Sequence, residues 1–203
     1  MWWSRWHPRQ GWLAVALLAV GQMAVVRSVQ DARYVDGLDI LTPLVLGAML
    51  LALVLTRLPL HATLQLGLGG VAGAWSSIAA VASTLPAGAR EERLREVAHR
   101  LIAWWHVIHS GELSTDSLPF LLGVVALAWL IAFVGLWWVE RTGTAWLPLL
   151  AAGTMLIVNL SYVIWLLPYL FVFLIAGMVL VVRLNLVAQE RGWRAAGVGM
   201  VWK

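Results

Sequence analysis

The sequence contains no cysteine. Disulfide bonds, thiolate metal sites and a cysteine nucleophile are therefore excluded from this chain. Charged residues are also scarce, at 12% of 203 residues, whereas a soluble domain carries about 25%. With 62% apolar residues and a mean hydropathy of +0.84, the composition excludes an ordinary soluble domain and predicts a polytopic membrane protein.

The longest stretch without a charged residue runs from Thr142 to Val182 and holds 41 residues. One membrane-crossing helix needs about 20 apolar residues, so this stretch has the length of two crossings. A reversal of the chain inside a membrane needs nearby polar groups and a helix-breaking residue, and Asn159 and Tyr162 ahead of Pro168 meet that need. The sequence therefore predicts a helical hairpin here.

Fourteen tryptophans lie mostly near the ends of predicted helices. An indole ring favours the level of the lipid headgroups, so these residues are expected to anchor the helices. The net charge is +4, but the 14 basic residues are scattered among loop edges instead of forming one basic face. They are expected to face anionic lipid headgroups, and nucleic acid is not an expected partner.

The apolar segments predict an all-α membrane helix bundle, with residues 1–203 forming a single membrane domain. Its six transmembrane helices are expected at residues 12–28, 40–56, 62–83, 118–139, 145–160 and 166–186. A transporter or channel is disfavoured, because the spans lack convincing intramembrane charges and repeated broken helices.

Small residues are closely spaced in the third span. Gly69 and Gly73 are four residues apart, as are Gly70 and Ala74, and such spacing lets a neighbouring helix backbone approach closely. Gly69, Gly70 and Gly73 are therefore predicted to be helix-packing residues, and the third span is expected in the middle of the bundle. Asn159 is the fourth predicted packing residue, expected to tie the hairpin turn together instead of binding a substrate.

One long polar interruption predicts an amphipathic helix at residues 89–110. Its charges exclude a membrane span, so the helix is expected to lie in the membrane interface with Trp104 and Trp105 facing the acyl chains. Its apolar residues recur at helical spacing on one side and are Leu94, Val97, Leu101, Trp104, Trp105 and Ile108.

His99, His106 and His109 lie on one flank of this helix and are weak candidates for binding a metal or a pigment. No cysteine or HExxH-type partner completes a zinc site with them. Histidines that cover the shoulder of an interfacial helix are the favoured interpretation. The sequence therefore predicts no catalytic residue, no metal and no cofactor.

Several short strings recur in order along nearly the whole chain. They are RQGW at residues 9–12, LTP at 41–43, DSLPF at 116–120, VNLSY at 158–162, VRLNL at 182–186 and WRAAGV at 193–198. Their order and spacing resemble the N-terminal membrane region of the bacterial TgpA-like transglutaminase-domain proteins. The resemblance implies a longer protein, in which a further membrane helix and an extracytoplasmic papain-like domain with catalytic Cys, His and Asp follow this region. No catalytic residue of that family carries over, since this chain has no cysteine.

The resemblance implies a non-catalytic membrane-anchoring module of a transglutaminase-like enzyme, here truncated at Lys203 or existing as a stand-alone derivative. The alternative is an accessory structural subunit of a larger membrane complex, for example an energy-transducing one. The expected partners are the lipid bilayer and either other proteins or a missing C-terminal domain. The expected location is the bacterial cytoplasmic membrane with both termini in the cytoplasm, because basic residues favour that side once the amphipathic helix is set aside.

Overall fold

The computed structural model of the chain describes residues 7–86, 88–111 and 114–195, with side chains as far as Trp193. Within these residues the structure is all-α, as predicted, and contains no strand. The helices are α1 (Trp12–Ala32), α2 (Leu41–Leu55), α3 (Ala62–Ser83), α4 (Arg90–Ser110), α5 (Leu118–Thr142), α6 (Trp146–Tyr162) and α7 (Leu167–Ala195). Short 3-10 turns at Leu38–Ile40 and Ile164–Leu166 lead into α2 and α7.

Five of the described helices are long and apolar enough to cross a membrane: α1, α2 with its 3-10 turn, α3, α5 and α7. The sixth expected span is α6, an apolar helix of 17 residues that extends roughly 26 Å at 1.5 Å per residue. The described chain therefore has the architecture of a helical membrane protein. Its most amphipathic helix, α4, carries several charged residues and is not among the candidate spans.

The central helix of the bundle is α5, which contacts α1, α2, α3, α4 and α6. In its most apolar 18-residue window 56% of the residues are buried, against 28% in α3. The expectation that the third span lies in the middle was therefore wrong. Small residues cover only one side of α3, and its other sides carry large apolar residues such as Leu64, Val71 and Trp75, which are exposed.

The contact between α3 and α5 depends on two glycines of α3. A Cβ atom at Gly69 would lie 2.0 Å from the Phe133 ring, and one at Gly73 would lie 2.3 Å from Nε1 of Trp129. The same Nε1 donates a hydrogen bond of 3.3 Å to the carbonyl of Gly69. Gly70, also predicted to be a packing residue, is exposed and has no neighbour within 4 Å of a Cβ. The packing surface is therefore narrower than the sequence suggested.

The hairpin predicted from the long uncharged stretch is formed by α6 and α7, with the reversal between Tyr162 and Leu167. Pro168 lies in the first turn of α7, where a missing backbone N–H costs little. α7 packs mainly along α1 and continues to Ala195, well beyond the predicted end at residue 186. This extension carries polar residues, which an apolar-span criterion leaves out.

α4 packs against the end of α3 and the start of α5. Val97 is buried there, while Trp104 is half-buried and Trp105 and Ile108 are exposed. The apolar side of α4, which was expected to face lipid, therefore has two parts with different surroundings. Its first half contacts the bundle, and its second half remains exposed.

Replacing Gly69 or Gly73 by alanine is expected to lower the free energy of unfolding by about 1 to 3 kcal/mol, because the added methyl group overlaps an aromatic ring of α5. Gly70→Ala is the matched control and should leave stability unchanged or slightly raised. Thermal unfolding in detergent measures the three variants. Equal effects at all three positions would contradict the α3–α5 contact, and Phe133→Leu should partly rescue Gly69→Ala.

Candidate functional site

The most deeply buried charged group in the described chain is the carboxylate of Glu140, near the end of α5. Its side chain is 0% exposed, and Oε2 accepts a hydrogen bond of 2.7 Å from the guanidinium of Arg57. The same oxygen accepts a bond of 2.9 Å from the backbone N–H of Arg9. One carboxylate thereby joins the start of α1, the end of α2 and the end of α5. We call this end of the bundle the Glu140 end.

Gln65 forms a second polar centre at the Glu140 end, in the first turn of α3. Its Nε2 donates to the carbonyls of Leu55 at 2.7 Å and Leu58 at 3.2 Å. Its Oε1 accepts from Nε1 of Trp137 at 2.8 Å and from Arg141 at 3.0 Å. The amide adds a second hydrogen bond to two carbonyls, one at the end of α2 and one in the turn after it, each of which also accepts a backbone N–H. It thereby fixes the α2–α3 turn against α5.

The opposite end of the bundle, which carries α4, is joined through Asn159. Its Nδ2 donates a 3.1 Å hydrogen bond to Oγ of Ser28 on α1, and its backbone carbonyl accepts a 3.3 Å bond from the hydroxyl of Tyr34. Tyr169 at the start of α7 also donates to the carboxylate of Asp31. Asn159 was expected to close its own hairpin turn, but its side chain links α6 to α1 instead.

Arg100 and Asp116 form an ion pair that attaches α4 to the segment before α5. The Nε of Arg100 donates to Asp116 at 2.8 Å, and a second guanidinium nitrogen contacts the other carboxylate oxygen. Asp116 also accepts a 2.9 Å bond from the backbone N–H of Leu118. These hydrogen bonds, chiefly the one from Arg100, hold the pKa of Asp116 below its ordinary value.

The three histidines of α4 are all exposed. The ring of His109 packs beside that of Trp105 at a centroid distance of 4.2 Å, and Nδ1 lies 2.9 Å from the Trp105 carbonyl. Among the described residues, no group of three or more His, Cys, Asp or Glu side chains is placed to hold a metal ion.

A groove of about 600 Å³ runs between α5 and α6. Its walls include Leu130, Val134, Leu147 and Pro148, and Thr154 supplies its one polar side chain. An adjoining cavity of about 510 Å³ continues toward Tyr34, Asn159 and Tyr162. Apart from Thr154 of the groove and Tyr34, Asn159 and Tyr162 of the cavity, both linings consist of apolar residues, so this surface suits contact with hydrocarbon.

Comparison of the chain with family models, with curated proteins and with solved structures found no match. The candidate site therefore has to be interpreted from its own geometry. Glu140 is paired and closed off from solvent, Gln65 uses both ends of its amide, and Asn159 bridges two helices. Each of these groups stabilises a junction between helices, and none is arranged as a nucleophile with its base.

Sequence reasoning missed the Glu140 and Gln65 centres. Glu140 looked like an ordinary interfacial residue at the end of a span, next to Arg141. Glu140 lies at the end of one predicted span and Arg57 at the end of another. Because charges at membrane depth are usually paired, these positions could have indicated that the two side chains form an ion pair. The sequence alone does not tell which of several basic residues is the partner.

Removing either member of the Glu140–Arg57 pair is expected to cost about 3 to 5 kcal/mol of unfolding free energy, because the remaining charge stays buried without a partner. The double variant Arg57→Met with Glu140→Leu should lose much less than the sum of the two single losses. Unfolding in detergent measures this double-mutant cycle. Glu91→Gln, which breaks the exposed pair with Arg95, is the control and should be near neutral. Additive losses in the cycle would show that the two side chains act independently.

Proposed function

We propose that the chain is a non-catalytic membrane module that anchors a transglutaminase-like protein in the bacterial inner membrane. A non-catalytic role is supported by the buried polar side chains, because Glu140, Gln65 and Asn159 each join helices. The ordered strings that resemble TgpA-like proteins support the assignment to a transglutaminase-like protein. A rigid bundle with apolar outer faces is what such an anchor requires.

We place the Glu140 end in the cytoplasm and α4 on the outer face. The distribution of basic residues supports this orientation, because positive charge is retained on the cytoplasmic side. Apart from α4, the opposite end carries only Arg27 and Arg33 among the described residues. The described arginines at the Glu140 end are Arg9, Arg57, Arg141, Arg183 and Arg191.

A role as accessory subunit of a larger membrane complex is the second candidate. It is favoured by the tip of the α6–α7 hairpin, where Tyr162, Ile164 and Trp165 are 77%, 79% and 75% exposed. A partner protein would cover these side chains. In the anchor, the same side chains would lie at the level of the lipid headgroups.

Intact-mass measurement of the protein isolated from its native membrane separates the two candidates. The anchor predicts a mass well above 22.3 kDa, with peptides that continue beyond Lys203. A mass near 22.3 kDa together with a stoichiometric partner protein would support the subunit and contradict the anchor.

The orientation is tested by single cysteines, which are clean probes because the chain has none of its own. An impermeant maleimide added to intact cells should label Ser110→Cys on α4 and leave Gln189→Cys on α7 unlabelled. Both positions are exposed, so both should react after the membrane is permeabilised. Labelling of position 189 alone in intact cells would invert the proposed topology.

A further inference from the structure

A cavity of about 220 Å³ lies between the end of α3 and the start of α4, separate from the polar centres described above. One wall is formed by small residues of α3, and the other by the first turns of α4. Its lining residues are Ala79, Ala82, Ser83, Arg90, Arg93 and Leu94. Two guanidinium groups thus border a space with the volume of several water molecules, each of which occupies roughly 30 Å³ in the liquid.

Neither arginine of this cavity forms a salt bridge within the described chain. At 100° per residue, Arg90, Arg93 and Arg100 fall on the side of α4 that also carries buried Val97. Arg100 is neutralised by Asp116, whereas Arg90 and Arg93 form no salt bridge with any carboxylate that the structure describes. The Nε of Arg93 is buried and has no hydrogen-bond partner among those residues.

Two of the acidic residues of α4 are engaged elsewhere. Glu91 lies near Arg95 on the exposed side, at 3.9 Å. The carboxylate of Glu92 accepts a 3.1 Å bond from the backbone N–H of Ala89 and so caps the start of the helix. The guanidinium of Arg93 is partly buried without a carboxylate partner, and that of Arg90 is exposed at the rim, so an anion from outside the chain would be stabilised between them.

We infer that the cavity binds a phosphate group through Arg90 and Arg93. Planar guanidinium groups match the spacing of phosphate oxygens and donate paired, charge-assisted hydrogen bonds to them. The positive end of the α4 dipole adds to the attraction. The guanidinium of Arg90 lies 6.0 Å from the ring centroid of Trp75, which holds it at the rim of the cavity.

The phosphate group has two possible sources, the headgroup of an anionic phospholipid and a free phosphate ion. The cavity lies at the end of a helix apolar enough to span a membrane, next to exposed Trp75. This is the depth at which basic pockets between membrane helices meet lipid headgroups. The alanines of α3 provide a small apolar floor beside the arginines.

The test compares the parent protein with an Arg90→Gln, Arg93→Gln double variant after delipidation in neutral detergent. The probes are phosphatidylglycerol, phosphatidylcholine and inorganic phosphate, and the readouts are the shift in unfolding temperature and the lipid retained in native mass spectrometry. Phosphatidylglycerol should stabilise the parent, and the double variant should bind it about tenfold or more weakly, as expected for lost charge-assisted hydrogen bonds. Arg95→Gln, on the exposed side of α4, is the matched control and should behave like the parent.

The probes also separate the two sources. A lipid site gives the shift with phosphatidylglycerol and not with inorganic phosphate, whereas a site for free phosphate gives the arginine-dependent shift with both. Equal stabilisation of the parent and the double variant by every probe would overturn the inference. Arg93→Lys keeps the charge but loses the planar fork, so it should fold and bind with intermediate affinity even if the double variant unfolds.

Discussion

The buried carboxylate of Glu140 is the contact on which one whole end of the bundle depends. A buried carboxylate is costly unless hydrogen-bond donors or a positive charge meet it, and here the donors come from Arg57 and from the backbone of Arg9. Three segments distant in sequence must therefore meet at one point. Gln65 repeats this arrangement beside it with a neutral amide, which fixes the turn between α2 and α3. Apolar packing brings these helices together, and the polar groups determine how their ends align.

Much of the fold could be predicted from the sequence, because apolar length and charge spacing act locally along the chain. α3 begins and ends at its predicted residues 62 and 83, and the hairpin reverses ahead of Pro168. The position of α3 could not be predicted in the same way. The glycine pattern shows that a close contact exists, but it does not show that only the Gly69 and Gly73 side is covered. That outcome depends on where Phe133 and Trp129 of α5 lie, which is tertiary information.

The candidate site was predictable only in its individual parts. Asn159 stood out as a polar residue within an apolar stretch, and it does hold helices together. Its partner Ser28 is 131 residues away, and no local pattern joins the two. The same limit applies to the arginines of α4, because their spacing gives the side of the helix on which they lie and says nothing about the cavity that α3 completes. Periodicity in the sequence determines the side of a helix on which a residue lies. The partner of that residue depends on how the helices assemble in the bundle.

The pairing of α1 with α7 has a consequence for the order of membrane assembly. α1 is synthesised before the other described helices and packs mainly along α7, the last helix of the described chain. At about 5 to 20 residues per second, roughly ten to thirty seconds pass between the synthesis of α1 and the arrival of α7. During that interval Gly21 of α1, which packs beside Phe173 of α7 in the finished bundle, must face lipid or an insertion factor. The packing of α1 is therefore completed only after α7 has been synthesised.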